Sequence, residues 1–217
     1  TKGDIQMGFY AMGSHDIVQG TNCPIQDEGN NIIAQACYQI AKEFDIEPYD
    51  EHTGKGILRH VIGRIGQSGW MIILVTATEY LPHQEKWVEK LTERIPQIET
   101  IVHNVNGKRT NVILGPKNNI LYGDGTITDH IKDLQFTLSP HSFFQVNPEQ
   151  TTVLYDQALE YADLKGDETV IDAYCGTGTI SLFLAHKAKH VIGIEIVEPA
   201  IINARENAQR NMSLIHF

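Results

Sequence analysis

Apolar residues recur along the first 138 positions at two different spacings. Apolar residues recur at helical spacing in two segments: GNNIIAQACYQIAKEFDI, which begins at Gly29, and PHQEKWVEKLTERIPQI, which begins at Pro82. Between these helices, two runs rich in β-branched residues flank GQSG, a pattern typical of a hairpin. Further short strands are predicted on either side. Residues 1–138 are therefore predicted to form a central α/β (α+β) domain.

From residue 139 onward the pattern changes to strands and helices in strict alternation. Asn147 is predicted to cap a helix that has Pro148 at its first position. The runs that follow are the strand TVIDAYCGTGT, the helix ISLFLAHKA, the strand HVIGIEI and the helix EPAIINARENAQRN. A β-α-β-α series of this kind predicts a parallel sheet. Residues 139–217 are therefore predicted to begin a second domain of Rossmann-like type.

The turn DAYCGTGT between the first strand and its helix is the strongest chemical signal. Glycines at this point let the backbone approach a ligand closely. A dinucleotide fold requires a third glycine, but Ser181 occupies that position. A fold that binds S-adenosylmethionine (SAM) instead has an acidic residue at the end of its first strand and a shorter glycine pair, which Asp172, Gly176 and Gly178 match. Such a fold also has a carboxylate that ends the second strand. Glu195 stands at that point, so the pattern favours SAM over a nicotinamide cofactor.

Charge and composition restrict the classes of partner. The net charge of −10 argues against a uniformly basic surface that coats nucleic acid, although it allows a local basic groove. Lys55, Arg59, His60 and Arg64 flank the first hairpin strand and form either phosphate contacts or a solvated charged face. The sequence contains neither an apolar run of about 20 residues nor a signal peptide, which predicts a cytoplasmic protein with no membrane segment.

Three motifs together resemble a known family. SFFQVN, DAYCGTGT and GIEIVEPAI, in this order, are similar to the RNA uracil-5 methyltransferases, which include the bacterial ribosomal and transfer RNA 5-methyluridine enzymes. Upstream, GFYAMGSHDIV, CPIQ and ILRHVIGR resemble the central domain of that family, and the details are closest to the ribosomal RNA branch. The resemblance implies a central domain followed by the truncated start of a SAM-dependent methyltransferase domain.

The resemblance also implies a set of cofactor-binding residues. Gln145 matches a glutamine at the methionine end of SAM, and Glu195 matches the acceptor for the ribose hydroxyls. Thr179 occupies a polar position where other members often carry Asn. Tyr174 matches an aromatic or apolar position of the turn that lines the same cofactor. The alternative role for Gln145 is that of a polar residue at a helix start, and the alternative role for Tyr174 is core packing. The complete set is Gln145, Tyr174, Gly176, Gly178, Thr179 and Glu195.

The three cysteines form neither a CxxC pair nor an even disulfide framework. Cys37 lies on the apolar stripe of its helix and is predicted to be core. Cys175 is interpreted as packing behind the turn, because the family's nucleophile lies much later. Cys23 matches the last of four cysteines that hold a 4Fe–4S cluster in part of the family, with the other ligands expected before Thr1. A free thiol is the alternative for Cys23.

The reaction that the resemblance implies needs groups that these residues do not supply. In the family, a cysteine thiolate adds to carbon 6 of a flipped-out uracil, carbon 5 takes the methyl group from SAM, and a carboxylate removes the carbon 5 proton. Both groups are expected after Phe217, so no catalytic residue is predicted within the chain, which alone should be inactive. The implied partner is RNA, namely 23S ribosomal RNA. The alternatives are a non-catalytic SAM- or RNA-binding protein, or a SAM methyltransferase acting on tRNA, DNA or a small molecule.

Overall fold

The computed structural model describes residues 5–20, 22–213 and 215–217. The chain divides into two compact units, Thr1–Gly125 and Thr126–Phe217. Each unit combines helices with strands, which confirms the predicted α/β class. None of the helices within the described residues is long and apolar enough to cross a membrane.

The first unit is built on a four-stranded sheet of order β3-β4-β5-β6. Strands β3 and β4 form the predicted antiparallel hairpin, β4 and β5 run parallel, and β5 and β6 are antiparallel. A separate hairpin, β1 with β2, precedes the sheet. The elements are β1 (Gly8–Tyr10), β2 (Ile17–Gln19), α1 (Glu28–Glu43), β3 (Leu58–Ile65), β4 (Trp70–Thr76), α2 (Gln84–Arg94), β5 (Ile98–Val105) and β6 (Lys117–Tyr122).

The core of the first unit joins α1 and α2 to the sheet. Asp27 caps α1 by accepting a hydrogen bond from the Gly29 amide at 2.8 Å. Cys37 of α1 and Trp87 and Leu91 of α2 are fully buried in this core. The predicted core position of Cys37 is thereby confirmed.

The second unit contains the predicted parallel strands. β9 pairs with β10 in parallel, from Thr169 opposite His190 to Ala173 opposite Ile194. The Asn147 side chain accepts from the Gln150 amide at 3.0 Å, which confirms the predicted helix cap. The elements are β7 (Ile127–Ile131), β8 (Leu134–Leu138), α3 (Pro148–Ala162), β9 (Thr169–Ala173), α4 (Thr179–Ala185), β10 (His190–Ile194) and α5 (Glu198–Arg210).

The division between the units falls earlier than the predicted boundary after residue 138. The β7–β8 hairpin belongs to the second unit because β8 packs against α5 and β7 against α3. The side chains of Asn207 on α5 and of Asn211 at its C-cap also accept hydrogen bonds from the backbone of β8, at Thr137 and Gln135. These partners are far apart in sequence, so the local pattern of the hairpin does not reveal them.

Candidate cofactor site

The glycine turn leaves β9 beside the end of β10. The amides of Tyr174 and Cys175 both donate to the Ile194 carbonyl, at 2.7 and 3.1 Å, and the Gly178 amide closes the turn by donating to the Cys175 carbonyl at 2.9 Å. Gly176 and Gly178 have φ angles of +56° and +80°, in the left-handed region that glycine adopts readily. Among the described residues other than its neighbours Cys175 and Thr177, none has a heavy atom within 4 Å of a Cβ built on Gly176. The turn backbone is therefore open to a ligand at that position.

Asp172 connects the end of β9 to the first turn of α4. The Ser181 hydroxyl donates to the Asp172 carboxylate at 2.5 Å, and Ser181 is fully buried. Burial raises the pKa of Asp172, and the hydrogen bonds from Ser181 partly oppose that shift. The serine that replaces the third glycine of the dinucleotide pattern therefore has a structural role: it joins the acidic end of β9 to α4.

Glu195 follows β10 and faces the turn. Its carboxylate accepts from the amides of Ile196, Val197 and Gly176, at 2.7, 2.9 and 3.2 Å. These bonds, with that from Val197 the largest contribution, lower the pKa of Glu195 and keep the group ionised at neutral pH. Since a carboxylate offers about four acceptor positions, the half-buried group retains capacity for a ligand hydroxyl beside the open side of Gly176.

Residues 164–216 match the protein family described as "Methyltransferase domain". The carboxyl-terminal part of the chain is a methyltransferase domain. Two proteins named "Uncharacterized RNA methyltransferase", from Halalkalibacterium halodurans and Clostridium tetani, are each 50% identical to the chain over 212 residues. Each match covers 97% of this chain and 46% of the relative. The chain thus spans about half the length of the curated relatives it matches.

A solved structure is similar over both units. It is the Pyrococcus abyssi tRNA (uracil-54, C5)-methyltransferase in complex with S-adenosyl-L-homocysteine. The similarity has a TM-score of 0.79 with 25% sequence identity, and it covers 93% of this chain and 49% of that one. The mixed α/β fold with a methyltransferase domain in its carboxyl-terminal part is therefore shared with an enzyme of that type.

The other predicted cofactor residues of the methyltransferase domain differ in their surroundings. Tyr174 is 88% exposed and has a φ of +65°, so the core-packing alternative is wrong. The Thr179 hydroxyl lies 3.0 Å from that of Tyr155, which ties α4 to α3. Gln145 is half-buried. The Thr177 hydroxyl of the glycine turn donates to the carbonyl of Phe143 at 3.4 Å, which brings the turn next to the chain two residues before Gln145. The cofactor roles of Gln145, Tyr174 and Thr179 stay predictions.

Cys175 of the methyltransferase domain is buried behind the turn. Burial, followed by the nearby carboxylates of Asp172 and Glu195, raises the pKa of its thiol to about 11. A nucleophilic cysteine needs an accessible thiolate near neutral pH. These surroundings agree with packing and disfavour nucleophilic attack by Cys175.

The described residues do not by themselves fit an iron–sulfur cluster. Cys23 is half-buried, and its amide donates to the Asn31 side chain at 2.8 Å, which fixes the loop to α1. Cys37 lies in the core, where burial raises its pKa to about 12. No group of three or more His, Cys, Asp or Glu side chains that could hold a metal occurs within the described residues. A 4Fe–4S cluster needs several converging thiolates, so the cluster role of Cys23 stays a prediction.

Arg59 is not available to RNA phosphates. Its side chain is only 1% exposed and donates to Glu51 at 2.7 Å. It also donates to the carbonyls of Asn106 and Lys108, each at 2.8 Å. Both interpretations of Arg59, the phosphate contact and the solvated charged face, are therefore wrong, because the buried guanidinium holds two loops of the first unit together.

A cavity of about 310 Å³ in the second unit lies away from the turn. It is lined by residues such as Leu182, His186 and Val191, near the start of β10. Ligands of open α/β sheets bind at the carboxyl ends of the strands, where the turn and Glu195 lie. The candidate site is therefore the open surface at the turn, not this cavity.

Sequence reasoning missed a series of three asparagines, two of which support the site. Asn203 and Asn207 on α5 and Asn211 at its C-cap lie at four-residue spacing. Asn203 bonds to the segment after β8, Asn207 to β8 and the glycine turn, and Asn211 to β8 alone among these segments. Asn is unfavourable inside helices, so its regular recurrence in IINARENAQRN is the signal that could have identified this face.

Proposed function

We propose that this chain belongs to an enzyme that transfers a methyl group from SAM to carbon 5 of a uridine in RNA. Two observations outside the site support the proposal: the relatives are named as RNA methyltransferases, and the similar solved enzyme is a tRNA uracil methyltransferase. Within the site, the observation that supports the proposal most directly is that the Glu195 carboxylate accepts a hydrogen bond from the Gly176 amide beside the open turn.

Each proposed binding residue has a chemical role. SAM supplies an electrophilic methyl group when it is bound. Glu195 accepts hydrogen bonds from the ribose hydroxyls, and Gly176 lets the backbone approach the cofactor. Gly178 completes the left-handed turn at a point where a side chain would meet Phe217. Gln145 donates to and accepts from the methionine end. Tyr174 and Thr179 line the adjoining surface, Tyr174 through an exposed ring that can cover an apolar part of the ligand.

The proposal places the nucleophile and the general base outside these 217 residues. Cys175 is buried with a pKa of about 11, and Cys37 is buried in the core of the first unit with a pKa of about 12. In the proposed reaction a thiolate forms a bond to carbon 6 of the uracil. Carbon 5 then takes the methyl group of SAM, and the bond between that methyl group and the SAM sulfur breaks. A base then removes the carbon 5 proton, and the bond between carbon 6 and the thiolate breaks.

For the target we propose 23S ribosomal RNA, which the likeness of the motifs to the ribosomal RNA branch supports. Transfer RNA is the second candidate, because the similar solved enzyme modifies uracil 54 of tRNA. The test is to map 5-methyluridine in both RNAs from cells that contain or lack the gene. Loss from 23S RNA alone supports the first target, and loss from tRNA alone supports the second. No loss from either would overturn the proposal.

Cofactor binding is tested on the 217-residue chain by NMR titration with S-adenosylhomocysteine. We expect the amide signals of Gly176 and Gly178 to shift. Glu195→Ala should weaken binding by about tenfold to a hundredfold, because a charged acceptor of this kind contributes about 1.5–3 kcal/mol. Glu198→Ala, which removes an exposed carboxylate from the first turn of α5, is the matched control and should leave the affinity unchanged. Equal affinities in the two variants would remove Glu195 from the site.

A further inference from the structure

Three amide side chains at four-residue spacing form what we call the asparagine ladder: Asn203 and Asn207 are buried on one face of α5, and Asn211 is the half-buried C-cap residue of the helix. Asn211 bonds to both the amide and the carbonyl of Gln135 on β8, at 2.9 and 2.7 Å. This end of the ladder therefore attaches the end of the helix to a strand and, within the described residues, does not bond to the glycine turn. The other two members contact the segments that form the candidate site.

Asn207 is the central member and is 0% exposed. Its Oδ1 accepts from the Thr137 amide of β8 at 2.8 Å, and its Nδ2 donates to the Thr177 carbonyl of the glycine turn at 3.0 Å. One planar amide therefore bridges the strand and the middle of the turn. The bridge needs an acceptor on one side and a donor on the other, which neither an ionised carboxylate nor an apolar side chain supplies.

Asn203 fixes the chain between β8 and Gln145. Its Oδ1 accepts from the hydroxyls of Ser139 and Ser142, at 3.1 and 3.0 Å. The Ser139 amide in turn donates to the Ser142 hydroxyl at 2.8 Å, which closes a tight turn just before Phe143 and Gln145. The same helix face thus holds both the glycine turn and the segment that carries Gln145.

We propose that Asn207 is a positioning residue that sets the distance between the glycine turn and the Gln145 segment. The inference rests on the proposed function, in which Glu195 and the turn hold the nucleoside while Gln145 holds the methionine end. The bonds of Asn207 are buried and directional, so their geometry defines where the turn stands relative to β8 and the chain that follows it. Asn207 acts on Gln145 indirectly, through the backbone of Thr137 on one side and of Thr177 on the other.

Binding of two probes distinguishes positioning from a general loss of stability. S-adenosylhomocysteine spans both parts of the proposed site, whereas adenosine needs only the part next to Glu195. We expect Asn207→Leu in the 217-residue chain to weaken S-adenosylhomocysteine by at least about tenfold and adenosine by less than about threefold, since only the longer ligand senses the spacing. Asn211→Leu, which breaks only bonds to β8 and within α5, is the matched control and should change neither affinity.

The inference fails if Asn207→Leu weakens both probes by the same factor, or if the Asn211 control produces the same selective loss. Should Asn207→Leu not fold, Asn203→Ala, which releases Ser139 and Ser142, must reproduce the selective loss. A wild-type chain that binds neither probe would contradict the proposed function. The positioning role of Asn207 is then tested by NMR spectra of the two variants without ligand. In that case the Gln145 amide signal must shift in Asn207→Leu and stay in place in Asn211→Leu, and an unmoved Gln145 signal overturns it.

Discussion

Each unit contains a parallel strand pair joined by a helix, yet the two pairs are stabilised differently. In the first unit, β4 lies inside a four-stranded sheet, and each residue from Met71 to Val75 is 0% exposed. In the second unit, Val191 of β10 is buried, but Ile171 and Ile194 on the other face are 62% and 54% exposed. In the first pair, β4 is therefore buried on both faces, whereas the second pair is buried on only one face.

The difference explains how the candidate site is fixed. The glycine turn follows the half-covered pair, and directional hydrogen bonds hold its parts: Ser181 to Asp172, Gly176 to Glu195 and Asn207 to Thr177. Such bonds orient donors and acceptors toward a ligand more narrowly than apolar contacts do. The first unit thus illustrates stability from packing, and the second illustrates a surface organised by polar contacts.

The largest effect is expected in the core of the first unit. Leu91→Ala should lower the free energy of unfolding by about 2–5 kcal/mol, because it removes a fully buried side chain and leaves a cavity. Both tryptophans, Trp70 and Trp87, lie in this unit, so urea denaturation followed by tryptophan fluorescence reports on it. Glu93→Ala, an exposed position on the same helix, is the control and should change the value by less than about 0.5 kcal/mol.

A pair of serine–carboxylate bonds compares the two units directly. Ser181→Ala should cost about 1.5–3 kcal/mol, because the half-buried Asp172 carboxylate loses a charge-assisted hydrogen bond from a fully buried hydroxyl. Ser68→Ala removes an exposed bond to Glu99 in the first unit and should cost less than about 0.5 kcal/mol. Urea denaturation followed by amide signals of α4 and of β4 measures each. Similar costs for the two variants would contradict the polar organisation of the turn.

Local signals predicted the parts of the fold that depend on neighbouring residues. The Asn147 cap, the parallel order of β9 and β10 and the glycine turn with Glu195 beyond the next strand all follow from spacing and capping chemistry. The structure brings Glu195 next to Gly176 because the carboxyl ends of parallel strands meet at one edge. The chemistry at that edge could therefore be predicted from strand ends alone.

Features that depend on distant partners could not be predicted in this way. Thr137 and Asn207 are 70 positions apart, and Arg59 bonds to a carbonyl 47 positions away. Neither periodicity nor propensity carries information about such pairs. For the same reason the sequence pattern predicts the β7–β8 hairpin in the first domain, although its packing against α3 and α5 places it in the second unit.

Cys175 should behave as a packing residue. Cys175→Ala should lower stability by about 1 kcal/mol, since it removes one buried sulfur atom, and should leave the affinity for S-adenosylhomocysteine unchanged. Iodoacetamide should label Cys175 of the folded wild-type chain slowly at pH 8, because its pKa is about 11, and faster as the pH approaches that value. Rapid labelling at pH 8 with the fold intact would contradict this assignment.

The smallest effect is expected on the uncovered face of β9 and β10. Ile171→Thr keeps a β-branched side chain and replaces the ethyl group on Cβ by a hydroxyl group. Because the position is exposed, the free energy of unfolding should change by less than about 0.5 kcal/mol. Val191→Thr on the buried face is the matched variant and should cost about 1–3 kcal/mol, because it buries a hydroxyl group. Urea denaturation followed by α4 amide signals, at two protein concentrations, measures both variants. A loss above about 1 kcal/mol for Ile171→Thr that grows with concentration would mean that copies of the chain cover this face in solution, and the contrast between the two units would then hold only for the isolated chain.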